Sequence, residues 1–168
     1  MTSAPTSPIP DTPVSPVTPE RISELLDAEG LQHRLESAPV AAGETPTTIV
    51  RTGFINTAIA ISIDGDQLVC DSMWRGEAPK DEAPKVLGLV NEWNQTQYMP
   101  TLRFFENSAG AGHLTISALR QIDIEHGLSR NQIGAFIMST LDGVLRAYEW
   151  VEAQLPELVT WEEKHDHE

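Results

Sequence analysis

The sequence predicts an α+β domain, an antiparallel sheet of about five strands covered by helices in the order α-β-β-β-α-β-β-α. Three observations predict it. Asp64-Gly65 separates two alternating runs, a strong short-range hairpin signal. Leu102–Glu106 and Leu114–Ile124 flank a glycine-containing loop and make a second hairpin. Residues from Ser129 onward carry a long apolar stripe at helical spacing.

Order is expected to begin at Thr18-Pro19. Thr18 is a natural N-cap, Pro19 suits the first helical position, and Glu20 complements the helix dipole. Ile22, Leu25 and Leu26 share one face and Gly30 stops the helix, which therefore covers about residues 19–29. Leu31–Glu36 reads as a short strand with a weak pattern. Phe54–Ile63 and Gln67–Arg75 then pair around Asp64-Gly65. With those two residues as the loop, Ile61 faces Leu68, Ile59 faces Cys70 and Ile55 faces Trp74, all on one sheet face. Asn56, Ala58, Ala60 and Ser62 fall on the other face.

A second helix is expected from Ala83 to Gln97. Val86, Leu89, Val90 and Trp93 form its core stripe, and Pro100 prevents its continuation. The loop Ser108–Gly112 reads as a plain hairpin turn, because neither a helix nor a lysine follows it as a phosphate loop requires. Ser129 and Gln132 form a capping box for the last helix. Its stripe runs through Ile133, Phe136, Ile137, Leu141, Val144, Tyr148, Val151 and Leu155, and Pro156 follows its last turn.

The domain is thus expected to span 19–161. Residues 1–18 are rich in Pro, Ser and Thr with Asp11 the single charge, and are expected to be a disordered tail that cannot offset its ordering entropy. Residues 162–168 form an acidic tail. The 168 residues carry 11 Lys+Arg and 25 Asp+Glu, a formal charge of −14. That charge repels phosphate backbones and anionic lipid, so neither nucleic acid nor membrane is an expected partner, and no local basic patch is evident in the sequence. The chain carries a single cysteine, Cys70, which forbids an intrachain disulfide and fits a cytoplasmic location.

No nucleophile elbow, P-loop or HExxH motif is present, and neither a metal framework nor a cofactor is expected. Cys70, mid-strand and opposite an isoleucine, is expected to be a buried structural thiol. His165-Asp166-His167 sits in the tail without preorganisation. Trp150 stands apart: on a helical wheel it falls beside the main stripe, near Arg146 and a strip of small residues, Ser139, Gly143 and Ala147. Small residues admit a close approach, and Trp is enriched at interfaces. These residues are therefore partner-binding candidates, with packing on the chain's own sheet the competing reading.

The stretch VNEWNQTQYMP, residues 90–100, resembles the signature of YbjN-type bacterial proteins through Asn91, Trp93, Asn94 and Pro100. The likeness continues through Leu102–Phe105, the strand to Ile124, the GLSRNQI start of the last helix, and Trp74. The resemblance implies a fold similar to type III secretion chaperones, whose members are generally dimeric binders of protein segments without catalytic sites. The expected function is accordingly a non-catalytic, dimeric protein-binding regulator or chaperone-like adaptor. The alternative is a small-molecule sensor with a pocket between sheet and helices, for which Asn91, Asn94 and Arg103 are the available polar groups.

Overall fold

The computed structural model describes residues 10–38, 41–107 and 112–161. The described residues form three α-helices and a seven-stranded antiparallel sheet. In chain order these are α1 (Pro19–Ala28), β1 (Arg34–Ser37), β2 (Thr48–Phe54), β3 (Thr57–Asp64), β4 (Gln67–Trp74), β5 (Ala78–Pro79), α2 (Ala83–Thr96), β6 (Thr101–Glu106), β7 (His113–Asp123) and α3 (Arg130–Gln154). The α+β class and the three helices match the sequence expectation to within a residue or two at each end.

The strand count does not match, and the reason is local. The strand expected to begin at Phe54 begins at Thr57; Phe54 instead ends a further strand, β2, which turns at Ile55-Asn56 so that Phe54 pairs with Thr57, and the short β5 is the other addition. The register of the next hairpin also differs. Its loop is Gly65-Asp66, with Asp64 opposite Gln67, Ile61 opposite Cys70 and Ile59 opposite Ser72. Gly65 takes a positive φ of 56° there, which glycine adopts without steric cost. The expected pairing is displaced by two residues, an even number, so the side chains from Thr57 to Ile63 and from Leu68 to Trp74 keep their expected faces. Ile55 and Asn56 do not: they form the β2–β3 turn, where Ile55 is exposed and Asn56 buried, and Thr57 takes the expected place of Ile55 opposite Trp74.

The sheet is a meander β1-β2-β3-β4, followed by β7 with β6 on its far side. β5 continues β4 along the same edge of β7. Met73 faces Ser117 and Ala78 faces Leu114, so five steps on one strand match three on the other. The two extra residues lie among Arg75–Glu77, where Gly76 rests against the Trp74 ring with no room for a Cβ.

All three helices lie on one face of the sheet. α1 and the first half of α3 cover Val50, Ile59, Ile61, Leu68 and Cys70. α2 and the second half of α3 cover Trp74, Leu102, Leu114, Ile116 and Ala118. Tyr148 is buried where α3 crosses β4, its hydroxyl 2.9 Å from Ser72 Oγ.

Part of the segment expected to be disordered is placed against this core. Ser15 and Leu128 form a backbone bridge, and Val17 is buried. Thr12 Oγ1 accepts from Arg130 N at 2.8 Å, and Asp11 Oδ1 accepts from Asn131 N at 3.0 Å. Ser129 Oγ accepts from Gln132 N at 3.2 Å, completing the expected capping box with Gln132. Two of the free N–H groups opening α3, those of Arg130 and Asn131, are thus satisfied from a segment more than a hundred residues away, and that of Gln132 by the local cap. Composition misses this because one carboxylate and one apolar side chain suffice. Residues 1–9 and 162–168 lie outside the described residues.

Candidate interaction surface

Among the described residues the second face of the sheet carries no helix. Strand alternation places Arg51, Gly53, Ala58, Ala60, Ser62, Val69, Asp71, Met73, Ser117, Leu119 and Arg103 there, opposite the buried set. Most of these are small or polar. The centre is held by an ion pair from Arg103 Nη2 to Asp71 Oδ2 at 2.8 Å, with Ser117 Oγ donating to Asp71 Oδ1 at 3.1 Å. Met73 and Phe105 are the large apolar side chains exposed on this face.

At the β1–β2 end lies an open cleft of about 710 Å³ lined by Arg34, Arg51 and Arg75 together with Glu36, Gly53 and Ala58. Arg34 faces Arg51 across the β1–β2 ladder. Arg51 Nε is 3.1 Å from Glu36 Oε2, and Arg34 Nη2 is 3.6 Å from the same oxygen. Arg75 instead donates to two carbonyls, Phe54 O and Thr57 O, each at 3.4 Å. A Cβ on Gly53 would meet the Thr57 carbonyl oxygen at 2.6 Å, so the close approach of the two backbones at this turn requires the glycine, and Arg75 Nη2 lies beside it at contact distance. The expectation that no local basic patch exists therefore fails. The patch was invisible because it needs the β1–β2 pairing, and the β2–β3 turn that creates β2 was not read from the sequence.

The residues that carry the family resemblance come together, but as structure. Trp93 Nε1 donates to Pro100 O at 2.8 Å. The Asn94 amide donates to Leu102 O and accepts from Leu102 N, both at 2.8 Å. One side chain thereby stands where a further strand would pair with the outer edge of β6, which protects that edge from other chains. The Met99–Pro100 bond is cis. Trp74 donates to Glu152 Oε1 at 3.2 Å, which also accepts from Asn56 Nδ2 at 2.9 Å. The sequence does not point to this pairing of Asn56 with Glu152, because the two residues are 96 positions apart. Asn91 is exposed on α2.

The partner-binding candidates on α3 are mostly occupied by the chain itself. Gly143 is covered by Met99 and Pro100; a Cβ there would lie 2.7 Å from Met99 Sδ. Ala147 is buried, and Ser139 Oγ accepts from Arg120 Nη1 at 2.7 Å. Trp150 is half-buried, its ring centroid 5.7 Å from that of Trp93. Arg146 is exposed and pairs with Asp142 at 2.7 Å. The close approach inferred from the small-residue strip is real, but the approaching surface is the turn after α2.

Burial pushes the Cys70 thiol up to about 12, which keeps it protonated and inert at neutral pH. Burial likewise raises the Tyr148 phenol. Among the described residues no buried side-chain nitrogen or oxygen lacks a hydrogen-bond partner. No helix among them is long and apolar enough to cross a membrane.

Comparison with known proteins agrees with this architecture. A solved structure of YbjN from E. coli, described as a putative transcription regulator, superposes with a TM-score of 0.63 at 9% identity. The match covers 88% of this chain and 99% of that one, a likeness of fold alone. No curated protein matches. The family model YbjN, described as "putative bacterial sensory transduction regulator", matches residues 18–153. The chain belongs to the YbjN family.

Proposed function

We propose that the protein is a non-catalytic regulator that acts by binding a protein partner on the uncovered face of its sheet. The observation that carries the reading is the one-sided cover. Seven strands present one face to three helices and leave the other open, with Met73 and Phe105 exposed on it beside the Arg103–Asp71 pair. Apolar side chains set among polar ones are the usual composition of a transient interface. The family description as a sensory transduction regulator points the same way.

The chaperone-like, dimeric form of this reading belongs to the same proposal. Since α3 uses its small-residue strip internally, a second copy would meet the sheet face and not Trp150. A photo-crosslinking amino acid at Met73 tests the surface in extract of the native host. An adduct of defined mass, abolished when Phe105 is changed to Glu and not formed from the same amino acid at the exposed Leu87 of α2, is the expected result. An adduct of twice the chain mass identifies the dimer. Equal labelling from Met73 and Leu87 would contradict the assignment of the face.

A further inference from the structure

The cleft at the end of the sheet face is cationic on a strongly anionic chain. Three of the 11 Lys and Arg residues line it, against one of the 25 Asp and Glu residues. Glu36 is shared between Arg34 and Arg51, at 3.6 and 3.1 Å. Arg75 is held by neutral carbonyls, which orient its guanidinium without cancelling its charge. Two formal positive charges are therefore left over where the molecule as a whole carries −14. Such a distribution rejects polyanions over most of the surface and attracts them at one place, and so sets orientation as well as affinity.

We propose that the partner presents an acidic segment, several Asp or Glu residues in succession, which seats in the Arg34–Arg51–Arg75 cleft while the rest of the partner lies on the sheet face. This rests on reading that face as a docking surface. Guanidiniums match carboxylates in bidentate geometry. The three arginines stand on β1, on β2 and just past the end of β4, spread along an open cleft and not closed around one point. The Arg34 side chain is 75% exposed. A lone small anion among such exposed groups is screened and weakly held, whereas a chain with successive carboxylates engages all three guanidiniums at once. Gly53 and Ala58, both small, line the cleft between the arginines.

The test uses the full chain and a fluorescein-labelled hexaglutamate peptide, with hexaglutamine as the neutral control, read by anisotropy at low salt. Hexaglutamate should bind and hexaglutamine should not. Arg34→Gln and Arg75→Gln should each weaken binding about fivefold, as expected for the loss of one partly exposed charge pair. Glu36→Gln should tighten it about threefold by removing the competing carboxylate. Lys85→Gln, on α2, should leave it unchanged. The Arg34 side chain is 75% exposed and its ion pair is to Glu36, so that variant is expected to leave the fold intact, and the gain from Glu36→Gln cannot arise from misfolding. Absence of hexaglutamate binding overturns the proposal, as does binding that the cleft variants do not alter. Inorganic phosphate or citrate competing at concentrations no higher than hexaglutamate also overturns it, in favour of a small anion. A Met73 adduct that persists without hexaglutamate binding sinks the acidic segment alone; loss of both sinks the docking face as well.

Discussion

The two faces of the sheet are made from the same strands and differ in almost every physical respect. Along β3, Thr57, Ile59 and Ile61 are buried under the helices, while Ala58, Ala60 and Ser62 between them remain partly open. On the covered face polarity appears only where it is paired, as in Ser72 with Tyr148, and Arg120 with Ser139, Thr140 and the Phe136 carbonyl. On the open face charge is plentiful and partly uncompensated. Stability should therefore reside on one side and recognition on the other, and substitutions chosen by parity alone should separate the two.

The largest expected effect is on the covered face. Ile61→Ala removes a fully buried side chain and should lower the unfolding free energy by about 2–5 kcal/mol in a denaturant titration. A cost below 1 kcal/mol would mean that this face is loosely packed. Asn94→Ala comes next, at about 1–3 kcal/mol, because it strips both partners from the Leu102 backbone. The bared β6 edge should also promote concentration-dependent association, measurable by sedimentation. On the open face Arg103→Gln breaks an ion pair whose side chains are 50% and 37% exposed, and should cost no more than about 1 kcal/mol.

The smallest effect concerns the α3 start. Hydrogen bonds from Ser129 and from the Asn131 backbone hold the Asp11 carboxyl below its usual range. A depressed carboxylate stabilises the folded state above its unfolded value of 3.8, and the gain is lost as pH falls through the lower folded value. The stability difference between wild type and Asp11→Asn should accordingly be present at pH 6 and shrink below about pH 4. A difference that grows on acidification would show that Asp11 does not cap α3.

Much of the covered face was legible in the sequence because burial imposes a period. The stripe Ile22-Leu25-Leu26, the stripe from Ile133 to Leu155 and the alternation through Ile59 and Ile61 each mark the side that packs. The β2–β3 turn was not legible, since Ile55-Asn56 carries no glycine and sits inside an apolar run. Losing that turn hid the Arg34–Arg51 pairing, and with it the cleft. Gly143 and Trp150 show a different limit. Periodicity correctly set them apart from the main stripe, yet it holds no information on whether the approaching surface is another chain or Met99 of the same one. The resemblance residues Trp93 and Asn94 were found by pattern, but their task of pinning Pro100 and Leu102 appears only in three dimensions.

One variant tests the division between the faces most directly. Ala58→Glu places a bulky carboxylate on the open face at the floor of the arginine cleft, between Gly53 and Met73 in the ladder. Thermal unfolding and Met73 photo-crosslinking should be measured on the same preparation. The expected result is a melting temperature within about 2 °C of wild type, as for surface substitutions generally, together with loss of the Met73 adduct. A melting temperature lowered by ten degrees or more would show that this face is packed within the chain, and an undiminished adduct would show that the partner docks elsewhere.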